Sequence, residues 1–200
     1  MTEEAAAQAA DQADETDHRQ RPARSAPDVR FVELSGEVMS ALLKGDLAAA
    51  GGLAGVALTG DFLTERARWL WRYRLGQMAA DPGRVRWMVR YALLDAEGLV
   101  VGHAGFHGPP DEAGTVEIGY FVSAAFRRRG HARAALVELL RRAAAGPEVT
   151  AVRATVSPDN AASLATLAGF GFAEVGEQWD EEDGRELVFE VPAGRSPASP

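Results

Sequence analysis

The run Arg127-Arg128-Arg129-Gly130-His131-Ala132 combines residue types and spacing that could do chemistry. It joins a strand-like segment, Thr115–Val122, to the most regular amphipathic pattern in the chain. A helix start leaves several backbone N–H groups unpaired and carries partial positive charge, so it attracts an anion. Gly130 has no Cβ and lets backbone approach closely, and Ala132 keeps the next contact small. The three arginines add charge, and successive N–H groups in such a turn make an anion nest. A diphosphate is the ligand these features suit. The same residues also suit a plain tight turn with a solvated basic cap, and the loop alone leaves both readings open. The run is neither a P-loop nor a dinucleotide fingerprint: no Gly-x-x-x-x-Gly-Lys-Ser/Thr or Gly-x-Gly-x-x-Gly occurs.

The elements that must hold this loop read clearly around it. Downstream, Ala132, Ala135, Leu136, Leu139, Leu140 and Ala143 form one apolar stripe of a helix that ends at Gly146-Pro147. Arg141 and Arg142 fall in its last turn, where cations suit the helix dipole. Val149–Val156 is β-branched and strand-like, Ser163–Ala168 a short helix, and Glu174–Trp179 with Arg185–Val191 a hairpin. Upstream, Val29–Leu34 reads as a first strand and Ser35–Gly60 as one or two helices. Thr64–Ala80 reads as an amphipathic helix with Leu63, Ala67, Leu70, Trp71, Leu75 and Met78 on its apolar side. Trp87–Leu94 and Leu99–Phe106 flank the turn Asp95-Ala96-Glu97-Gly98 as two strands. The order predicts a mixed α/β domain with a mostly antiparallel sheet and helices on both faces.

Bulk properties narrow the function classes. The chain has 200 residues, 46% of them hydrophobic, enough for one domain with its own core. A formal net charge of −8 disfavours a general nucleic-acid binder. Lys44 is the only lysine, so the cationic side chains are nearly all arginine, which also matches planar phosphate contacts. The absence of cysteine excludes a disulfide framework and a thiolate nucleophile. No stretch approaches the roughly 20 apolar residues of a membrane span, and the start lacks a signal-peptide pattern, so the cytoplasm is the expected location. Residues 1–27 form an acidic, alanine-rich tail expected to be disordered, 28–192 the folded domain, and 193–200 a second tail.

Two motif blocks together resemble the GCN5-related N-acetyltransferase (GNAT) superfamily. Arg127-x-x-Gly130-x-Ala132 is similar to its Arg/Gln-x-x-Gly-x-Gly/Ala signature. The lead-in Val116-Glu117-Ile118-Gly119-Tyr120 resembles the branch that acetylates ribosomal-protein N-termini. So do Ser157-Pro158-Asp159-Asn160-Ala161-Ala162-Ser163 and the later Gly171-Phe172. The resemblance implies a twisted sheet with splayed central strands and acetyl-CoA as cosubstrate, with no metal. It implies a primary amine of a small molecule or protein N-terminus as acceptor, attacking directly in a ternary complex. The backbone of Phe121 and Val122 would pair with the pantetheine amides, and Val122 N–H would meet the oxyanion. Arg127, Arg128, Arg129, Gly130, His131 and Ala132 would hold the pyrophosphate, His131 as a contact or a surface residue. Asn160 would reach the coenzyme arm, cap a helix, or both. Glu117 is the expected general base and Ser163 the proton source for the leaving thiolate. Two departures stand out: Leu167 sits where many members carry a tyrosine, and Ala124 where a proline is common. A non-catalytic acyl-CoA sensor of the same fold, an O-acyltransferase and a homodimer are left open.

Other candidates are weaker. His103 and His107 have no third partner for a metal. Trp69, Trp71, Tyr73 and Trp87 suit a core or a pocket wall, and Asp180-Glu181-Glu182-Asp183 a solvated turn.

Overall fold

The computed structural model describes residues 27–181 and 184–194. The expected tails therefore fall almost wholly outside the described residues, as do two residues of the acidic turn. The chain runs β1 (Arg30–Leu34), α1 (Gly36–Leu43), α2 (Leu47–Ala54), α3 (Glu65–Ala80), β2 (Arg90–Leu94), β3 (Val100–Phe106) and β4 (Thr115–Val122). It continues through α4 (His131–Ala144), β5 (Ala151–Val156), α5 (Ala161–Ala168), β6 (Ala173–Asp180) and β7 (Gly184–Pro192). Short 3₁₀ segments occupy Gly60–Leu63, Pro82–Trp87, which is kinked at Arg84, and Ala124–Phe126.

Local chemistry sets the helix starts. Ser35, Asp46, Thr64 and Asn160 each accept a backbone N–H from the first turn of α1, α2, α3 and α5. Helix α4 has no such side chain: Gly130 starts it in the left-handed region at φ 89°. The sheet order is β1-β2-β3-β4-β5-β7-β6, and only β4 and β5 run parallel. The mostly antiparallel sheet expected from the sequence is the one observed. One apolar layer packs α4 against Val101, Val116, Ile118, Val152 and Val191, with Leu136 and Leu139 fully buried. Burying one such leucine contributes about 1.5–3 kcal/mol. The other layer packs α1, α2 and α3 over β1 and β2 through Leu34, Met39, Leu42, Phe62, Trp71 and Leu94.

Two expectations change. The strand read from Trp87 begins only at Arg90, because Pro82 opens a 3₁₀ turn that carries Trp87 into the core against Phe106. The apolar stripe of α3 contains a charge: Arg74 is 2% exposed, whereas Leu75 is only partly covered.

Candidate active site

Strands β4 and β5 pair for only three residues, Thr115–Glu117 with Ala151–Arg153, and then separate. From Ile118 onward the β5-facing edge of β4 is free of its neighbour. Strand alternation decides which backbone groups occupy that edge. The Glu117 carbonyl accepts from His107 N–H and Ser123 N–H donates to the Val101 carbonyl, so odd-numbered residues face β3. Even-numbered residues, Tyr120 and Val122 among them, face the split. This corrects one expectation. The Phe121 carbonyl is turned to β3, where a Cβ placed at Gly102 would collide with it. Val122 alone of the two presents backbone to the opening. Its carbonyl accepts from Arg127 Nε at 3.0 Å, which leaves its N–H towards the split.

The loop after β4 is shaped by two left-handed residues, Arg128 (φ 63°) and Gly130 (φ 89°). Arg127 N–H is spent on the Ala124 carbonyl and Ala134 N–H on the Gly130 carbonyl. Among the described residues, no acceptor takes the N–H groups of Arg128 through Arg133 in between. The three arginines diverge. Arg127 turns back to the strand end, Arg129 lies 5.5 Å from the Phe126 ring centre, and Arg128 is exposed. His131 is not a surface residue: its side chain is 5% exposed and edges onto Phe126, so its backbone N–H is what it offers the loop. Ala132 follows in the first turn. A run of uncommitted amides around a residue that must lack Cβ fits a diphosphate such as that of coenzyme A.

Asn160 caps α5, its Oδ1 accepting from Ser163 N–H at 3.1 Å. Ser163 stands beside Tyr120, which sequence reasoning passed over. Burial pushes the Tyr120 phenol up, and the nearby Ser163 and Thr166 hydroxyls pull it back in part. Neither makes a well-formed hydrogen bond to it, so the Tyr120 hydroxyl is buried without a partner among the described residues.

Glu117 points to the opposite face of β4, with Gly119 and Phe121. Its Oε1 accepts from Thr155 Oγ1 at 2.7 Å and lies 3.1 Å from His107 Nδ1. Burial raises its pKa, but His107, Thr155 and the charge of Arg153 outweigh burial and hold the carboxyl below its ordinary value. The His107 ring lies over Gly119, where any side chain would strike Nε2. Sequence reasoning weighed His107 only as a metal ligand; the structure makes it the partner of Glu117. Among the described residues no cluster of three or more His, Cys, Asp or Glu is arranged to hold a metal.

Arg74, Arg90 and His103 are further buried polar groups of this face; sequence reasoning missed both arginines and weighed His103 only as a metal ligand. Trp71 packs on Phe62 and His103 beside them, while Trp69 and Tyr73 stack on the exposed side of α3. Two surface grooves, one around Arg84, Arg86 and Glu148 and one along α1 and α2, lie away from these residues.

A seven-stranded mixed sheet with parted central strands, an anion-nest loop at the parting and helices on both faces defines an acyltransferase-type fold. Residues 58–173 match the family model described as the acetyltransferase (GNAT) domain, and the chain belongs to that family. Among curated proteins, the uncharacterised N-acetyltransferase YjdG of Bacillus subtilis (strain 168) is 37% identical over 73 residues. That stretch is 36% of this chain and 44% of YjdG, so less than half of the relative is spanned. Two solved structures agree in fold. RimJ of Mycobacterium smegmatis, in complex with CoA-disulfide, has a TM-score of 0.54 at 23% identity, over 86% of this chain and 91% of that one. The dodecameric spermidine N-acetyltransferase of Vibrio cholerae has a TM-score of 0.57 at 13% identity, over 83% and 94%.

Proposed function

We propose that residues 28–192 transfer an acetyl group from acetyl-CoA to a primary amine of a small molecule or protein N-terminus, by direct attack in a ternary complex. Membership of an acetyltransferase family supports the reaction class. The observation that carries the donor site is the parting of β4 from β5 beside unspent loop amides. Acetyl-CoA supplies the activated thioester carbonyl. Arg128 to Ala132 hold its pyrophosphate through backbone N–H, with Arg127 to Arg129 supplying charge, and Asn160 lies beside its arm. The N–H of Val122 polarises the acyl oxygen.

Glu117 takes the amine proton. A carboxylate held below its ordinary pKa is a weak base, so the pair matters: Glu117 fixes Nδ1 of His107 and leaves Nε2 to exchange protons over Gly119. Which ring nitrogen carries the hydrogen follows from that hydrogen bond. Ser163 returns a proton to the thiolate, with the Tyr120 phenol behind it. The second reading, an acyl-CoA sensor without turnover, draws on Leu167. Where many members place a tyrosine, this leucine is 1% exposed and belongs to the core. Tyr120 restores a phenol to the same neighbourhood and favours the enzyme. The chain is expected to act in the cytoplasm.

Thiol release from acetyl-CoA with a panel of amines, products read by mass spectrometry, tests the reading. Acceptor-dependent release with an acetylated amine supports it. Micromolar coenzyme binding without release from any acceptor supports the sensor.

A further inference from the structure

Two guanidinium groups lie inside this protein, and among the described residues no carboxylate is bonded to either. Arg90 is 3% exposed and Arg74 is 2% exposed. Arg90 rises from β2 and runs across the sheet over Gly105, where a Cβ would lie 3.0 Å from its Cδ. Its Nη2 ends 3.0 Å from the Gly119 carbonyl and 3.3 Å from His103 Nδ1. Its Nε and Nη1 are buried and have no hydrogen-bond partner among the described residues. Arg74 comes from α3, and its Nη1 donates to the His107 carbonyl and to Gln77 Oε1, while its Nε is also buried and unpartnered.

Burial pushes Arg90 down to about 9, with Arg74 adding repulsion. Burial likewise pushes Arg74 down to about 10. Both stay cationic at neutral pH. The Glu117 carboxylate, which Arg74 feels at a distance, is already hydrogen-bonded to Thr155 and His107. Like charges buried together are costly unless an anion joins them.

The place of this pair in the fold matters. Cross-strand register lines up Arg90, Gly105 and Gly119 on one row, next to the row of His107, Glu117 and Arg153. Paired residues share a sheet face, so the guanidiniums lie on the same side as Glu117. Glu117 and Gly119 are two residues apart on β4, about 6.8 Å. Phe62, Trp71, His103 and Phe121 pack ring against ring beside the pair, with centroids 5.3–6.0 Å apart. Gly105 lies under the Arg90 side chain and Gly119 under the His107 ring, and neither adds a side chain of its own. Three guanidinium nitrogens without a partner among the described residues, held in rigid planar groups, match a carboxylate.

We infer that Arg90 and Arg74 receive a carboxylate of the acceptor, so that the substrate is an amino acid or a close analogue, its amine at Glu117 and its carboxylate against the buried pair. The inference rests on the acyl-transfer reading and narrows it. It sets this chain apart from enzymes acting on polyamines, because a polycation would meet two buried positive charges.

The test compares acceptors that differ only in the carboxylate. Thiol release at saturating acetyl-CoA is measured for free amino acids, the corresponding amino-acid amides, and spermidine. A charge-assisted pair contributes about 1.5–3 kcal/mol, so the free acids should exceed their amides by roughly 10- to 100-fold in kcat/KM. Arg90→Met should bring that ratio to near one while coenzyme affinity, read by calorimetry, is unchanged. Arg74→Met should lower the ratio as an independent variant. A second arm needs no turnover: N-acetyl amino acids should raise the melting temperature of the wild type, their amides should not, and Arg90→Met should abolish the difference. Without ligand, Arg90→Met should melt at or above the wild type, since an uncompensated charge is removed. Equal rates for acids and amides, a preference for spermidine, or an Arg90→Met variant that keeps the preference or unfolds would overturn the inference. If no acceptor releases thiol, the acyl-transfer reading fails, and the melting arm still decides whether the carboxylate site exists.

Discussion

Glu117→Gln is the sharpest probe of the proposed chemistry because it changes charge and almost nothing else. The amide keeps an oxygen able to accept from Thr155, which stands 2.7 Å from Oε1 in the wild type. It loses the attraction of His107 at 3.1 Å and of Arg153. The carboxylate side chain is 26% exposed, so solvent screens that loss and the stability change should stay within about 1 kcal/mol. Its sign with pH is fixed. A carboxyl whose folded pKa lies below the unfolded value stabilises above about pH 4.3 and loses that contribution as pH falls through the folded pKa. The stability gap between wild type and variant should therefore close in acid. The catalytic effect should be far larger. A positioned base contributes about 10²–10⁴-fold, or roughly 2.7–5.5 kcal/mol of barrier. Glu117 lies near the start of β4, and the loop proposed to hold the diphosphate follows its far end. Coenzyme affinity by calorimetry should thus hold while kcat for a working acceptor falls at least a hundredfold. A variant within twofold of wild-type kcat would remove Glu117 from the chemistry and with it the role given to His107.

Three further outcomes follow from the same geometry. His107→Gln should cut kcat by tenfold or more, and the His107→Gln/Glu117→Gln double variant should lose much less than the product of the two, because the pair acts as one unit; multiplicative losses would refute the pairing. Gly130→Ala places a Cβ at φ 89° and 2.7 Å from Pro27 Cδ. It should cost about 1–2 kcal/mol of stability and weaken coenzyme binding at least tenfold, measured by denaturant titration and calorimetry. Gly102→Ala drives a Cβ into the Phe121 carbonyl and against the Val122 Cα, all backbone. Overpacking of about 2–3 kcal/mol should lower the melting temperature by about 4–12 °C.

The order of strands and helices was legible in the sequence because each element carries its own period and ends at glycine or proline. The loop from Arg127 to Ala132 was legible for the same reason: it interrupts two strong patterns. What failed was the assumption that charge means surface. Arg90 sits within Trp87-Met88-Val89-Arg90-Tyr91-Ala92-Leu93-Leu94, an otherwise apolar run, and that setting was the available signal of a buried cation. Its reason lies elsewhere in the chain, in the missing side chain of Gly105 and the accepting carbonyl of Gly119, which only strand register brings beneath it. Arg74 hid inside a helical stripe in the same way. Phe121 was misassigned by one position, since motif likeness locates a strand end but alternation decides which residue turns its backbone outward.

That alternation would let one strand serve both substrates of the proposed reaction. The even side chains Val116 and Ile118 are buried against α4 and anchor β4, while the even backbone groups at Tyr120 and Val122 look into the split. The odd side chains Glu117, Gly119 and Phe121 line the other face. Core anchoring, donor edge and acceptor chemistry are therefore tied to one register. A slip of a single residue would carry Glu117 into the apolar layer and give the outward backbone positions to its neighbours. Gly102 and Gly119 work against such a slip. Each forbids a side chain, one beneath the Phe121 carbonyl and one beneath the His107 ring, so a shifted strand would set bulk against backbone on one side and against the Glu117–His107 pair on the other.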